Sequence, residues 1–194
     1  MVICVYGAAS NRIEKKYLDR VFNLGKALAE RGHSLVYGAG ADGVMGAAAR
    51  GFKAGGGKVH GVIPKFFEEG EYEAIFYQAD KLTYTQTMAE RKTIMENSCD
   101  CFIIAPGGIG TMEEFFQVLT LKQLGRHKKA IVIYDCFGYF DNLEKMIQEG
   151  MEQGFINKQC ENIYKILEDD KKIIEYLENY SDEDVEWSLL KKNS

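Results

Sequence analysis

The chain has 194 residues, of which 46% are hydrophobic and 27% charged, a balance typical of a globular protein with a sizeable core. This length favours a single domain over residues 1–194. The formal net charge of −5 argues against a nucleic-acid-binding protein, because such proteins need a basic face to displace counterions from phosphates. A small anionic ligand stays compatible with this charge, since one basic pocket can lie on an acidic protein.

The first apolar segment, Met1–Tyr6, is short and has no basic leader, so it predicts a β-strand and not a signal peptide. No stretch approaches the roughly 20 apolar residues that cross a bilayer. The five cysteines are an odd number without a CxxC pair, which indicates neither a disulfide framework nor a zinc site. We therefore expect core thiols, a cytoplasmic protein and no contact with a membrane.

Short apolar runs alternate with helical patterns along the chain. The runs predict seven strands: Val2–Tyr6, Ser34–Tyr37, Val59–Ile63, Leu82–Thr85, Cys101–Ala105, Ala130–Tyr134 and Ile163–Leu167. The segments between and after them predict helices at about 14–31, 43–54, 87–98, 111–125 and 140–153 and at Lys171–Tyr180. Such alternation predicts an α/β protein with a Rossmann-like three-layer α/β/α fold around a central parallel sheet of about seven strands. Phe66–Ala79 is the one longer irregular stretch, a candidate mobile flap, and the polar tail Ser181–Ser194 is expected to fray.

Three loops built from small residues follow predicted strands. They are Gly7–Ser10 after the first strand, Gly38–Gly46 after the second and Ala105–Phe115 after the fifth. Ligands of open parallel sheets bind where strands end and helices begin. The sequence therefore predicts that these loops share one crevice above the sheet.

The third loop, APGGIGTMEEF, concentrates three glycines in four residues. Gly107, Gly108 and Gly110 can take backbone angles closed to other residues and let a ligand approach the main chain. The following helix offers unpaired N–H groups and a positive dipole end, with the Thr111 hydroxyl as an extra donor. A strand-to-helix turn that only tolerates glycine is the alternative, and the density of glycine favours an anion seat.

Two familiar phosphate motifs are absent from the sequence. It contains no GxxxxGK[ST], so ATP hydrolysis of the P-loop type is not supported. Glu113 stands where the third glycine of GxGxxG would lie, and its carboxylate would repel a pyrophosphate. The loop thus predicts a seat for one phosphate and not for a dinucleotide.

Glu113 and Glu114 follow the glycines. Each can be a first-turn acid that complements the helix dipole, an effect of about 0.3–1 kcal/mol. Because neighbouring helix residues point roughly 100° apart, we expect one of them to line the crevice and the other to pack or face its rim. Gln117 and Thr120 continue a polar line beyond Glu113 amid apolar residues, and this line needs partners, of which a ligand is one.

Arg91 and Lys92 supply positive charge near the start of the predicted helix 87–98. Two cations there oppose the helix dipole, which is mildly unfavourable without an anion nearby. The alternative is that Arg91 and Lys92 are solvent-exposed charges balanced by Glu90 and Glu96, without a ligand. The neighbouring glycine loop favours contact with a ligand.

Two separated motifs, PGGIGTMEE (Pro106–Glu114) and Met88-x-x-Arg91-Lys92, together resemble the LOG ("Lonely Guy") family, formerly described as lysine decarboxylases. The likeness runs from the first strand to about Asn157 and includes the GVMG, GVIP and QLG segments. The sequence departs from the family pattern where Ala8 and Ala9 follow the first-strand glycine. It departs again where Ala39 replaces the middle glycine of a three-glycine turn.

The resemblance implies a Rossmann-like homodimer that hydrolyses the N-glycosidic bond of a nucleoside 5′-monophosphate. The products are ribose 5-phosphate and a free base, adenine or an N6-substituted adenine, and no cofactor is expected. By position, the catalytic pair is Arg91 and Glu114. The substrate-binding residues are Met88, Lys92, Gly107, Gly108, Ile109, Gly110, Thr111, Glu113 and Thr120.

The main alternative is a binding protein, because the same fold occurs in molybdenum-cofactor carriers that hold a phosphate-bearing ligand without cleaving it. The presence of both Arg91 and Glu114 favours an enzyme, since a carrier has no need of that carboxylate. A lysine decarboxylase is disfavoured, because no segment resembles the usual setting of a pyridoxal-phosphate lysine. The three histidines, His33, His60 and His127, lack the spacing of metal ligands, so we expect no metal site.

Overall fold

The computed structural model describes residues 1–69, 74–183 and 185–190. The strands within these ranges are β1 (Val2–Tyr6), β2 (Ser34–Tyr37), β3 (Val59–Pro64), β4 (Lys81–Thr85), β5 (Cys101–Ile104), β6 (Ala130–Tyr134) and β7 (Lys165–Leu167). They form one sheet in the order β4-β3-β2-β1-β5-β6-β7. Every neighbouring pair is parallel, which confirms the predicted sheet.

Helices cover both faces of this sheet. They are α1 (Lys15–Glu30), α2 (Gly43–Ala54), α3 (Phe66–Glu69), α4 (Met88–Ser98), α5 (Ile109–Gln123), α6 (Asp141–Glu152), α7 (Asp170–Glu178) and α8 (Trp187–Leu190). One apolar core lies between the sheet and α1, α2 and α7, and a second lies between the sheet and α4, α5 and α6. Alternate side chains of β1 enter the two cores, Ile3 in the first and Cys4 in the second, as expected for a strand buried on both faces. The three-layer α/β/α prediction is confirmed.

Several element bounds differ from the predictions. Helix α5 begins at Ile109, two residues earlier than predicted, with Gly108 as its N-cap. Strand β7 begins at Lys165, two residues later, because the 3₁₀ turn Lys158–Asn162 still holds Ile163, whose N–H donates to the Cys160 carbonyl. All five cysteines are buried and free, as expected.

The predicted flap and tail are only partly described. Within Phe66–Ala79, α3 forms at the start and Ile75 makes an antiparallel bridge to Gly40, whereas residues 70–73 lie outside the described residues. Within the predicted tail, α8 forms and Leu190 is buried. Residues 184 and 191–194 lie outside the described residues.

Lys122, near the end of α5, is fully buried, and its Nζ donates to the Tyr180 hydroxyl at 2.9 Å. Burial disfavours the charged ammonium and lowers the pKa of Lys122 to about 7, against 10.5 for an ordinary lysine. The unfolded chain therefore binds more protons than the folded chain between these two values. By linkage, Lys122 destabilises the fold fully below about pH 7, and this penalty fades as the pH rises to about 10.5.

Replacing Lys122 with Met is expected to raise the free energy of unfolding at pH 7 by at least about 1 kcal/mol, because the buried amine is removed while the aliphatic stem is kept. The advantage over the unmodified protein should shrink as the pH is raised from 7 towards 10. Urea unfolding at several pH values measures this difference, with Lys145→Met on the exposed side of α6 as the matched control. An advantage that stays constant with pH would contradict the assignment.

Candidate functional site

The strand order reverses between β1 and β5, which are neighbours in the sheet although β5 comes much later in the chain. The chain leaves β1 through α1 towards β2, and it leaves β5 through α5 towards β6 on the other side. Such a switch point opens a crevice at the carboxyl ends of the two strands. The two loops are tied together there, because the Ala8 N–H donates to the Pro106 carbonyl at 3.1 Å.

A cavity of about 320 Å³ lies in this crevice, and we call it the charged cavity. The Gly7–Ser10 loop forms one wall, and α4 and the start of α5 form the others. The structure thereby brings together seven of the predicted site residues: Met88, Arg91, Gly108, Gly110, Thr111, Glu113 and Glu114. Met45, which belongs to the second predicted loop and to α2, lines the same cavity. All three predicted loops therefore contribute to one crevice.

Of the two reasons predicted for the glycines of the third loop, unusual backbone angles and the close approach of a ligand, the first does not hold. None of Gly107, Gly108 and Gly110 has a positive φ, so unusual backbone angles do not explain them. A Cβ on Gly107 would lie 2.1 Å from the Thr111 Oγ1 and 2.9 Å from the Ala8 nitrogen, which leaves no space for a side chain. A Cβ on Gly108 or Gly110 would meet nothing within 4 Å. Those two glycines thus leave open space in front of the helix.

The first turn of α5 is suited to an anion. Its N-cap, Gly108, has extended backbone angles, and no acidic residue lies in the first turn. The unpaired N–H groups of this turn and the positive end of the helix dipole favour negative charge. Thr111 is buried beside them, with 4% of its surface exposed. An anion site at this helix start stays a prediction.

Arg91 is held rigidly in α4. Only 6% of its surface is exposed, so the alternative of an exposed, balanced charge does not hold. Its Nε donates to the Val62 carbonyl at 3.2 Å and its Nη2 to the Gly38 carbonyl at 3.1 Å. Its guanidinium also lies 5.9 Å from the centre of the Phe67 ring. Two carbonyls thus fix the guanidinium. Its Nη1 lies 3.7 Å from the sulfur of Met88, and Arg91 and Met88 both line the charged cavity.

The start of α4 explains why Glu90 does not balance Arg91. The Thr87 hydroxyl accepts a hydrogen bond from the Glu90 N–H at 3.1 Å, and the Glu90 carboxylate accepts one from the Gln86 N–H at 2.7 Å. Thr87 thus caps the helix, and the Glu90 side chain is held by the residue that precedes the cap, so both bonds fix where the helix begins. Arg91 is therefore one turn into a well-anchored helix.

The turn after β2 is shaped around Arg91. A Cβ on Gly38 would lie 1.7 Å from the Arg91 Nη2, so only glycine leaves room for the guanidinium. Ala39, where the family pattern has glycine, takes φ +66, a left-handed conformation that costs a non-glycine residue roughly 1–2 kcal/mol. Gly61 on β3 accommodates it, because a Cβ there would lie 2.8 Å from the Ala39 Cβ.

Glu113 and Glu114 both border the charged cavity, and one of them was expected to face its rim. They differ in their surroundings. Glu113 is 52% exposed at the rim and accepts a hydrogen bond from the Lys92 Nζ at 2.5 Å. Lys92 therefore reaches the site through Glu113 and does not itself line the cavity.

Glu114 is half-buried and lies close to the end of β1. Its charge acts on Tyr6 there: burial is the main cause that raises the pKa of Tyr6, and the charges of Cys4 and Glu114 add to it. A carboxylate so placed faces the same cavity as the guanidinium of Arg91 and the N-terminus of α5. The three groups can therefore act on one bound molecule.

Two further predicted substrate-binding residues, Ile109 and Thr120, do not line the charged cavity. Ile109 is 90% exposed on the first turn of α5. Thr120 is exposed and does not line the cavity. The polar line beyond Glu113 finds a protein partner instead, because the Gln117 amide donates to the Glu96 carboxylate, whose pKa is raised by burial.

A second cavity, of about 240 Å³, was missed in the sequence. It adjoins the glycine loop at Pro106, Gly107 and Gly108, and we call it the tyrosine cavity because Tyr17 and Tyr139 line it. Ala8, Ser10 and Gly108 line both cavities. The segment FGYF after β6 carries a glycine between aromatic residues and was the available signal, but a loop of that kind has many structural uses.

Other candidate sites are not supported in the described ranges. No group of three or more His, Cys, Asp or Glu side chains there could hold a metal ion. No described helix is long and apolar enough to cross a membrane.

The fold and cavity define a Rossmann-like protein whose cavity is lined by a glycine loop, a helix N-terminus, a fixed guanidinium and a carboxylate. The same fold occurs in the molybdenum cofactor carrier protein of Chlamydomonas reinhardtii, with a TM-score of 0.68 and 22% identity over 91% of this chain and 95% of that one. At that identity the likeness shows the fold alone.

Sequence comparison identifies the family. A family profile described as "Possible lysine decarboxylase" matches residues 45–177. The chain is 41% identical to a cytokinin riboside 5′-monophosphate phosphoribohydrolase of Mycobacterium tuberculosis, over 80% of this chain and 81% of the relative. It is 36% identical to the probable cytokinin riboside 5′-monophosphate phosphoribohydrolase LOGL2 of Oryza sativa subsp. japonica, over 92% of this chain and 72% of the relative. The chain belongs to the LOG family.

Proposed function

We propose that this protein hydrolyses the N-glycosidic bond of adenosine 5′-monophosphate or of an N6-substituted adenosine 5′-monophosphate. The products are a free base and ribose 5-phosphate. The observation that carries the proposal is the placement of Arg91 and Glu114 on the walls of the cavity into which the glycine loop opens. The relatives named as phosphoribohydrolases of cytokinin riboside 5′-monophosphates support the same chemistry.

The phosphate is held at the start of α5. The N–H groups of Gly108, Ile109 and Gly110 and the Thr111 hydroxyl are the donors that suit a dianion there. Open space at Gly108 and Gly110 lets the phosphate approach the backbone. This seat anchors the substrate away from the bond that breaks, and binding energy from such a remote group can orient the reacting atoms.

Glu114 acts on the sugar. Cleavage passes through an oxocarbenium-like state, in which the bond from C1′ to the base breaks and positive charge develops on the ribose ring. A carboxylate next to that ring stabilises this charge, or it accepts a proton from the water whose oxygen bonds to C1′. The base leaves with the bonding electron pair and takes up a proton.

Arg91 acts as a fixed cation. Because two of its nitrogens are committed to the Val62 and Gly38 carbonyls, the guanidinium cannot swing during the reaction. It orients the substrate or stabilises the negative charge that develops on the leaving base. Lys92 supports the rim through Glu113.

A non-catalytic carrier is the second candidate, because the solved structures with this fold include molybdenum cofactor carriers. Such a protein would need the phosphate seat but not a carboxylate in the same cavity. The position of Glu114 therefore favours the hydrolase. The predicted homodimer and cytoplasmic location stay predictions.

Incubation of the protein with AMP and with N6-isopentenyl-AMP tests the proposed function. We expect equal amounts of free base and ribose 5-phosphate, the first measured by chromatography and the second by an enzymatic assay. The matching nucleosides, which lack the phosphate, should react at least about tenfold more slowly, because they lose the seat on α5. Binding of either nucleotide without any base release would favour the carrier instead.

A further inference from the structure

The tyrosine cavity contains a direct contact to the phosphate seat. The Tyr139 hydroxyl donates a hydrogen bond to the Gly107 carbonyl at 2.7 Å. Gly107 lies between the end of β5 and the start of α5, where a side chain is excluded by Thr111 and Ala8. Of the three glycines in the loop, Tyr139 therefore contacts the one that is packed against its neighbours.

The peptide between Gly107 and Gly108 transmits this contact. No described peptide bond is cis, so the carbonyl of Gly107 and the N–H of Gly108 point in opposite directions across one rigid plane. The carbonyl points to Tyr139, which lines the tyrosine cavity. The N–H of Gly108 therefore points away from the Tyr139 hydroxyl. Gly108 itself lines the charged cavity as well as the tyrosine cavity.

The loop that carries Tyr139 is held in an unfavourable conformation. Phe137 has φ +60 and Gly138 has φ +69, so two consecutive residues are left-handed. Such a conformation is unfavourable for a bulky residue such as Phe137. The Asp135 carboxylate stabilises the turn by accepting the Phe140 N–H at 2.7 Å, and the Phe137 ring packs edge-on against Tyr17.

We infer that Tyr139 is a positioning residue of the phosphate seat. This inference rests on the proposed function, because it takes the ligand to be a phosphomonoester. By holding the Gly107 carbonyl, its hydroxyl fixes the plane of the peptide and aims the Gly108 N–H at the phosphate. A hydrogen bond to the carbonyl also polarises the amide, which makes that N–H a better donor. Tyr139 itself does not touch the substrate.

The test is calorimetric titration of inorganic phosphate and of ribose 5-phosphate into the protein and three variants. Tyr139→Phe removes the hydroxyl and keeps the ring, Tyr139→Leu removes both, and Tyr17→Phe removes a hydroxyl from the same cavity. We expect Tyr139→Phe to weaken binding of both ligands about three- to tenfold, the usual range for one hydrogen bond. Tyr139→Leu should weaken binding at least as much, and Tyr17→Phe should change it less than about twofold.

Binding by Tyr139→Phe equal to that of the unmodified protein would overturn the inference, even if Tyr139→Leu were impaired, because the ring alone would then matter. Equal weakening by Tyr17→Phe would overturn it too, since the effect would belong to the cavity in general. Melting temperatures of the variants separate a loss of fold from a loss of the seat. Base release is not needed for these readouts, so the inference can hold if hydrolysis is absent and can fail while hydrolysis stands.

If nucleotides are hydrolysed, a kinetic readout is added. Tyr139→Phe should lower kcat/KM for AMP about three- to tenfold and leave kcat/KM for adenosine unchanged, because the nucleoside has no phosphate to bind. A general distortion of the site would lower both values alike and would contradict the role in positioning.

Discussion

Base release from AMP is expected to fall by about 10²- to 10⁴-fold when Glu114 is replaced by glutamine, the range that a single acid–base or charge-stabilising group contributes. Glutamine keeps the size and shape of the side chain, and it removes the negative charge that we propose acts on the ribose. The affinity for inorganic phosphate should stay the same or rise slightly, because a like charge near the anion seat is lost. Single-turnover kinetics and phosphate titration measure the two effects separately.

The control for this variant is Glu149→Gln, which removes the same charge from an exposed position on α6. Its rate should match that of the unmodified protein. A Glu114→Gln variant that retains more than about a third of the rate would show that the carboxylate is not part of the chemistry. The placement beside Arg91 would then be one of binding alone, as in a carrier.

Most of the fold follows from local patterns. Runs of β-branched and aromatic residues between helical periodicities located all seven strands in the described residues, because parallel strands buried on both faces are apolar throughout. Some bounds were less accurate. Helix α5 was predicted from about residue 111, but the structure places Gly110 in its first turn, where few intrahelical bonds depend on its low helix propensity.

The site was only partly predictable, since it depends on residues far apart in the chain. The motif containing Arg91 is visible in the sequence, but its burial is not. The carbonyls that hold it belong to Val62 and Gly38, which are 29 and 53 residues away. The same holds for Tyr139, whose partner Gly107 is 32 residues away and whose loop is left-handed without any signal beyond one glycine.

Gly38→Ala is expected to lower kcat/KM for AMP by about 10²-fold. Gly38 does not line the charged cavity, but its carbonyl holds Arg91, which does. The added Cβ would stand 1.7 Å from the Arg91 Nη2, so the guanidinium must leave the Gly38 carbonyl. A displacement on the order of 1 Å in a positioned group is enough for a loss of this size. Steady-state kinetics with AMP measure it, and a melting temperature within a few degrees shows that the fold is kept.

A double-mutant cycle with Arg91→Ala decides whether the effect of Gly38 passes through the guanidinium. Once Arg91 is truncated, the Cβ at position 38 meets no guanidinium, so adding Gly38→Ala should cost less than about twofold. The two changes would then be strongly non-additive, as expected for residues that act through one contact. A full 10²-fold loss in the Arg91→Ala background would contradict this route. The loss of activity would then arise elsewhere in the turn, for example from a rearranged backbone at the strained Ala39.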